Sequence, residues 1–201
     1  MRTLLTFLLL RLLVVTTPAW AQIPDTAFLS SARADALTGL YVLDDGRVLH
    51  VVNLRDQIGG RQALSVTEYA SGRARALYPT DSVGFEAGSG WFERNPVAFR
   101  VRFDETTRPA RALTWEEGGR SLAGRRAPLV EREVTIQNGD IRLAGTLVLP
   151  PGRGPHPAIV WVPGSGALTR RIPRYVGDFL AYHGVAVLVT DKRGAGGSTG
   201  N

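Results

Sequence analysis

Residues 158–190 restrict the possible folds of this chain more than any other segment. They begin with a continuous apolar run at 158–162, which is typical of a strand covered on both faces. A glycine-containing turn at 163–166 follows, and apolar residues then recur with the spacing of one helical stripe over 172–183. A second apolar run spans 185–190. A strand, a helix and a strand of these lengths predict a right-handed crossover between two parallel strands.

Residues 22–127 have a different pattern, that of short antiparallel strands separated by turns. Asp44-Asp45-Gly46 lies between two apolar runs and predicts a hairpin. Alternation over 97–103 gives one apolar face and one polar face. Further strands are predicted at 63–69, 76–78 and 112–115. The segment 124–128 marks a boundary, and Asn138-Gly139-Asp140 predicts another hairpin beyond it.

The first 21 residues are typical of a secretory signal peptide. Arg2 precedes an apolar stretch over 4–15, and Ala19-Trp20-Ala21 offers the small residues that signal peptidase accepts. The predicted organisation is a signal peptide (1–21), a β-rich antiparallel domain (22–127) and a partial α/β domain (128–201). The predicted location is secreted or periplasmic, with no membrane attachment after cleavage.

Composition excludes several kinds of site. The chain has no cysteine, which removes disulfides, thiolate metal sites and cysteine nucleophiles. Its histidines, His50, His156 and His183, are isolated in the sequence, so no metal site is predicted. The net charge is +6, but the basic residues are scattered, so we expect no nucleic-acid partner. We predict no cofactor.

The order of motifs in residues 131–201 resembles the exported α/β-hydrolases related to serine aminopeptidases, dienelactone hydrolases and acyl-peptide hydrolases. The hairpin, the strand at 158–162, the helix and the next strand are followed by a segment at 191–198 that matches D-x-R-G-x-G-x-S. The resemblance implies the N-terminal part of an α/β-hydrolase sheet and a serine hydrolase acting on ester or amide bonds of a small ester or peptide. Its catalytic Ser, Asp and His would lie beyond residue 201, so the chain would be an incomplete, inactive hydrolase.

The resemblance also assigns a role to the turn after the first buried strand. The backbone N–H of Ser165, and next that of Gly166, would form part of an oxyanion hole. Pro163 departs from the family pattern, and it removes one backbone donor. Ser198 fits G-x-S-x-G, but it lies in a glycine loop instead of a strand-to-helix turn, so no nucleophilic role is assigned to it.

Two alternatives remain open at this level. Gly164 and Gly166 with Asp191 at the end of the next strand suggest a dinucleotide-binding fold, although Thr169 replaces the third small residue of that motif. The β-rich region could instead be an envelope-polymer binding module with aromatic residues along one face. Those residues are Tyr69, Tyr78, Trp91, Phe92 and Trp115.

Overall fold

The structure of the chain is a computed structural model that describes residues 29–54, 63–81 and 83–200. The predicted signal peptide lies outside the described residues, so it and the exported location stay predictions. Among the described helices, none has the length and apolar character needed to cross a membrane.

The first part of the described chain is a short helix followed by a closed eight-stranded antiparallel barrel. Helix α1 (Ser31–Leu37) begins at Ser30, whose side chain accepts a hydrogen bond from the backbone N–H of Arg33. The barrel strands are β1 (Gly39–Leu43), β2 (Val48–Asn53), β3 (Leu64–Glu68), β4 (Arg73–Pro79), β5 (Gly84–Ala87), β6 (Phe99–Asp104), β7 (Ala112–Glu117) and β8 (Arg120–Arg126). Each strand pairs with the next, and β8 pairs with β1 to close the barrel.

Alternation along the strands fills the barrel interior. In β6, Phe99, Val101 and Phe103 are buried, whereas Arg100 and Arg102 are exposed. The hairpin predicted at Asp44-Asp45-Gly46 is confirmed by the pairing of β1 with β2. The interior side chains form one apolar cluster whose larger members include Tyr41, Leu49, Leu64, Leu77, Phe85, Leu113 and Trp115.

The second part is a four-stranded sheet with one helix. Its elements are β9 (Val130–Asn138), β10 (Ile141–Leu149), β11 (Ala158–Trp161), α2 (Arg174–Tyr182) and β12 (Ala186–Thr190). The strand order is β11-β12-β10-β9, and β9 and β10 form the predicted hairpin. β11 and β12 are parallel, as predicted, and α2 connects them. Helix α2 packs against β12, β10 and barrel strand β1.

The predicted fold class, an α/β-hydrolase sheet preceded by a β-rich domain, is wrong. Strand pairs β9–β10 and β10–β12 are antiparallel, so β11–β12 is the one parallel pair among the described strands. The described helices are seven and nine residues long, too little to cover both faces of a parallel sheet. Closure of the barrel makes the described chain predominantly β. The predicted domain boundary between residues 127 and 128 stays a prediction, as does the signal peptide.

Candidate functional site

The two residues predicted to form an oxyanion hole lie in an exposed turn after β11. Ser165 and Gly166 are both exposed, and Gly166 has a φ of 88°, which favours glycine. The N–H of Leu168 donates to the carbonyl of Gly166, and Lys192 Nζ donates to the carbonyl of Gly164 at 3.0 Å. Hydrogen bonds to the carbonyls of Gly164 and Gly166 therefore hold this turn in place. The oxyanion role of Ser165 and Gly166 stays a prediction.

Asp191 anchors the glycine loop that follows β12. Its buried carboxylate accepts hydrogen bonds from the backbone N–H groups of Arg170 and Gly197, and Arg170 Nη1 pairs with it at 2.7 Å. Ser198 Oγ accepts from the N–H of Ala144 and donates to the Asp191 carbonyl. Asp191 and Ser198 thus hold the loop against β10, which is a structural role.

Strand β11 lies at one edge of the four-stranded sheet and is exposed on both faces. β12 pairs with it on one side, and no described strand pairs with it on the other. Val160 is 62% exposed, Val162 after it is 78% exposed, and Ile159 and Trp161 are also exposed. Because strand backbone groups point alternately to the two sides, the outer side of β11 presents N–H and C=O groups without a ladder partner. The expectation that residues 158–162 are covered on both faces is wrong.

The opposite edge of the same sheet is protected by charge. Strand β9 carries Glu131, Arg132 and Glu133, all exposed. Charged side chains on an edge strand oppose pairing with another chain. β11 contains no charged residue. The sheet therefore has one protected edge, β9, and one open edge, β11.

The surroundings of the open edge are basic. No Asp or Glu occurs between Asp140 and Asp178 in the sequence. Arg153 is exposed in the loop before β11, and Lys192 contacts the turn after it. The arginines that follow the turn are all paired with acids, namely Arg170 with Glu133 and Asp191, Arg171 with Asp35, and Arg174 with Glu131 and Asp178. Among the described residues, the positive charge near β11 that has no acidic partner thus comes from Arg153, before the strand, and Lys192, in the loop after β12.

A buried hydrogen bond joins the barrel to helix α2. His50, on the outer face of β2, donates from Nε2 to Asp178 Oδ2 at 3.1 Å, and both side chains are buried. Arg174, one turn earlier on α2, pairs with Asp178 at 2.8 Å and with Glu131 of β9 at 2.8 Å. Tyr69 of the barrel packs on the Phe179 ring at 4.6 Å. Ionic and aromatic contacts together fix α2 between the barrel and the sheet.

The ionisation of Asp178 and Arg174 follows from their surroundings. Burial acts to raise the pKa of Asp178, but the hydrogen bond from His50 and the charge of Arg174 outweigh it, so the pKa lies below its usual value. The pKa of the Arg174 guanidinium is raised, because Asp178 and Glu131 outweigh the effect of its burial. Asp178 is therefore ionised at neutral pH.

A cleft of about 550 Å³ lies between the barrel and the sheet. Ion pairs from both parts line it together with an apolar wall. Its described lining includes Asp35, Thr38, Gly39, Leu40, Asn53, Pro109, Arg126, Ala127, Leu129, Glu131, Glu133, Thr146, Arg170, Arg171, Arg174 and Asp178.

The signals in the sequence differ in strength between the ion pairs on α2, His50 and the open edge. Arg174 and Asp178 are four residues apart on the predicted helix, a spacing that indicates an ion pair. His50 has no local pattern that connects it with Asp178, 128 positions away. The apolar run of β11 was visible in the sequence, but its exposure was not.

Compared with known proteins, the chain matches no protein-family model, and no curated protein is detectably similar to it. The predicted membership of the exported α/β-hydrolases is wrong, because the described residues form a closed barrel and a mixed sheet. The predicted hydrolase activity on ester or amide bonds, and the interpretation as an incomplete hydrolase, are wrong for the same reason.

Particular residues give no support to the two alternatives. The Asp191 carboxylate is occupied by Arg170 and Gly197, so it is not free for a ribose. Tyr78 and Trp115 are buried in the barrel, so they cannot share an exposed aromatic face with Trp91. A dinucleotide site and an envelope-polymer surface are therefore not supported. The expected lack of a nucleic-acid partner, and the small ester or peptide substrate, stay predictions.

Proposed function

We propose that this chain is a polypeptide-binding module whose open edge, β11, accepts an extended segment of a partner protein. The observation that carries the proposal is the exposure of an uncharged, apolar edge strand on both faces. Natural edge strands usually carry charges, bulges or a cover that prevent pairing with other chains. β9 follows that rule and β11 does not, which favours β11 as a surface for strand addition.

The partner segment is an apolar strand flanked by acidic residues. Side chains alternate along a strand, so Ile159 and Trp161 lie on one face of the sheet and Val160 and Val162 on the other. A segment that covers both faces needs apolar residues in both of its own alternating sets. Arg153 before β11 and Lys192 beside the turn after it place positive charge near both ends of the strand, which favours acidic flanks on the partner. Full burial of a Val or Ile side chain contributes about 1.5–3 kcal/mol, so a short segment is sufficient for measurable binding.

Self-association through β11 fits the structure less well than a different partner does. Two copies would bring two basic edges together, and each full chain carries a net charge of +6. Juxtaposed like charges oppose association. The proposal is therefore a complex with another polypeptide, and a dimer formed through β11 would contradict it.

The proposal is tested by fluorescence anisotropy with a labelled peptide, EETVIVTEE, titrated with the full chain. We expect saturable binding to the wild type and at least tenfold weaker binding to Val160→Lys, because a lysine on β11 provides the protection that this edge lacks. Ile136→Lys is the matched control, since Ile136 is an exposed apolar residue on the protected edge. A second peptide with proline at the central position should not bind, because proline removes a ladder donor and is excluded from paired strands.

Thermal unfolding by circular dichroism accompanies the binding measurement. Val160 is mostly exposed, so Val160→Lys should retain the wild-type melting temperature within 2–3 °C, roughly the shift expected of a surface substitution. Equal peptide binding by the wild type and Val160→Lys would refute the proposal. No binding to the wild type, or binding lost equally in Ile136→Lys, would also refute it.

A further inference from the structure

Arg126, the last residue of β8, places a guanidinium group beside the cleft between the barrel and the sheet. Its Nε donates to the carbonyl of Ala110 at 2.7 Å. Its Nη2 donates to the carbonyls of Ala36 at 3.1 Å and Thr38 at 2.6 Å, at the end of α1. These acceptors are uncharged, so they hold the guanidinium in position without neutralising it.

Tyr41 does not neutralise Arg126 either. Arg126 Nη2 lies 3.1 Å from Tyr41 Oη, and the guanidinium lies 5.1 Å from the centre of the Tyr41 ring. Burial raises the pKa of the Tyr41 hydroxyl, although the Arg126 charge acts to lower it, so the phenol stays neutral. Within the described ranges, no anionic group pairs with Arg126.

The acids that line the cleft are already paired with other arginines. Asp35 pairs with Arg171 at 2.7 Å, Glu133 with Arg170 at 2.7 Å, and Glu131 and Asp178 with Arg174 at 2.8 Å. Arg126 is consequently the one arginine of the described lining that has no acidic partner. An ion that enters the cleft would meet the Arg126 guanidinium, which has no acid of its own, and acids that are each held by one of the other three arginines.

The free nitrogen of Arg126 lies against a residue without a side chain. Nη1 has no hydrogen-bond partner among the described residues, and it occupies the space that a Cβ at Gly39 would fill. Gly39 also lines the cleft. The neighbouring wall is apolar and is formed by Leu40, Pro109, Ala127 and Leu129.

We propose that the cleft binds a monocarboxylic acid with an apolar body, its carboxylate on Arg126 Nη1 and its chain along the apolar wall. The single charge of the guanidinium compensates one carboxylate, its Nη1 offers the hydrogen-bond donor, and the acids around the cleft disfavour a dianion such as phosphate. The volume of about 550 Å³ accommodates a ligand of this class. A charge-assisted hydrogen bond fixes the carboxylate, and burial of the chain supplies the remaining affinity.

Isothermal titration calorimetry of the full chain with octanoate tests this site, with octan-1-ol and inorganic phosphate as comparison ligands. We expect octanoate to bind at least tenfold more tightly than either. Arg126→Gln should lower octanoate affinity at least tenfold, and Arg126→Lys should lower it less. Arg102→Gln is the control, because Arg102 is an exposed barrel arginine that pairs with Asp81 outside the cleft.

Arg126 also holds the end of α1, so thermal unfolding is measured for each variant. If Arg126→Gln is unstable, the proposal is judged from Arg126→Lys and from the wild-type titrations with octanoate, octan-1-ol and phosphate. Equal binding of octanoate and octan-1-ol, binding of phosphate as tight as octanoate, or unchanged affinity in a folded Arg126 variant would overturn the proposal. Val160→Lys should retain octanoate binding, which separates this site from the open edge. Loss of octanoate binding in Val160→Lys would place the ligand on β11 and contradict the proposed site in the cleft.

Discussion

Asp178 is the residue on which the contact between barrel and helix depends most. Asp178→Asn removes the charge that pairs with Arg174 and weakens the bond to His50, so we expect the free energy of unfolding to fall by about 2–3 kcal/mol. Urea unfolding measures this change. Asp45→Asn is the control, because Asp45 forms an exposed pair with Arg47 in a hairpin turn and should change stability by less than about 1 kcal/mol.

The same residue has a pH dependence with a defined sign. The folded-state pKa of Asp178 lies below its unfolded value of about 3.9, so its stabilising contribution is complete above that pH. As pH falls below about 4 toward the folded-state pKa, protonation removes the contribution. The stability difference between the wild type and Asp178→Asn should therefore narrow in acid. A difference that stays constant from pH 7 to pH 3 would contradict the assigned ionisation.

Residue-scale features of this kind were largely hidden in the sequence. His50 and Asp178 are 128 positions apart, and their meeting depends on how α2 docks on the barrel. Asp191 has a more local signal, because an aspartate that begins a glycine loop commonly accepts hydrogen bonds from loop amides. The N–H of Gly197 in that loop donates to Asp191, and so does the N–H of Arg170 before α2.

At the scale of elements, aromatic packing holds α2 on the barrel. Phe179→Ala removes the ring that contacts Tyr69, and we expect stability to fall by about 1–3 kcal/mol. Tyr182→Ala is the control on the same helix, since the described aromatic partner of Tyr182 is His183 at the end of that helix. Urea unfolding should show a clearly larger loss for Phe179→Ala than for Tyr182→Ala. Equal losses would show that the contact with Tyr69 contributes little.

Local sequence predicted the elements whose conformation is decided locally. Both hairpins depend on turn residues, Gly46 with φ 86° in one and Gly139 with φ 55° in the other, and both were found. Strand β8 was missed, because Arg120–Arg126 contains few apolar residues and no clear alternation. Helix α1 was missed, because seven residues are too few to show a helical stripe. The prediction that β11 is buried was wrong, because an apolar run does not reveal whether another element covers it.

At the scale of the whole molecule, the barrel contains its own core. The buried apolar cluster is built from residues between Leu29 and Trp115, with Leu122 packed against it. We therefore expect a chain of residues 29–128 to fold alone, with strand-type circular dichroism and a cooperative thermal transition. Near-ultraviolet dichroism from Trp115, which stacks on Phe99 at 4.0 Å, should be retained. A non-cooperative transition without that signal would show that the barrel needs the sheet.

Closure of the barrel was the part of the fold that the sequence could not indicate. It depends on the pairing of Tyr41 with Arg126 and Leu43 with Gly124, contacts between segments about 80 residues apart in the chain. Hairpin signals predict neighbouring strands, but they do not state whether the last strand returns to the first.

Because β1 pairs with β8, the barrel can close only after its last strand has been synthesised. Until Arg126 has left the ribosome, strand β8 is incomplete, so neither the β7–β8 hairpin nor the pairing of β8 with β1 can form fully. Strand β1 keeps one edge unpaired during that time. A chain truncated within β8 should therefore fail to form the closed barrel. A chain that ends just after Arg126 contains all eight strands, and we expect its barrel to close in one cooperative step.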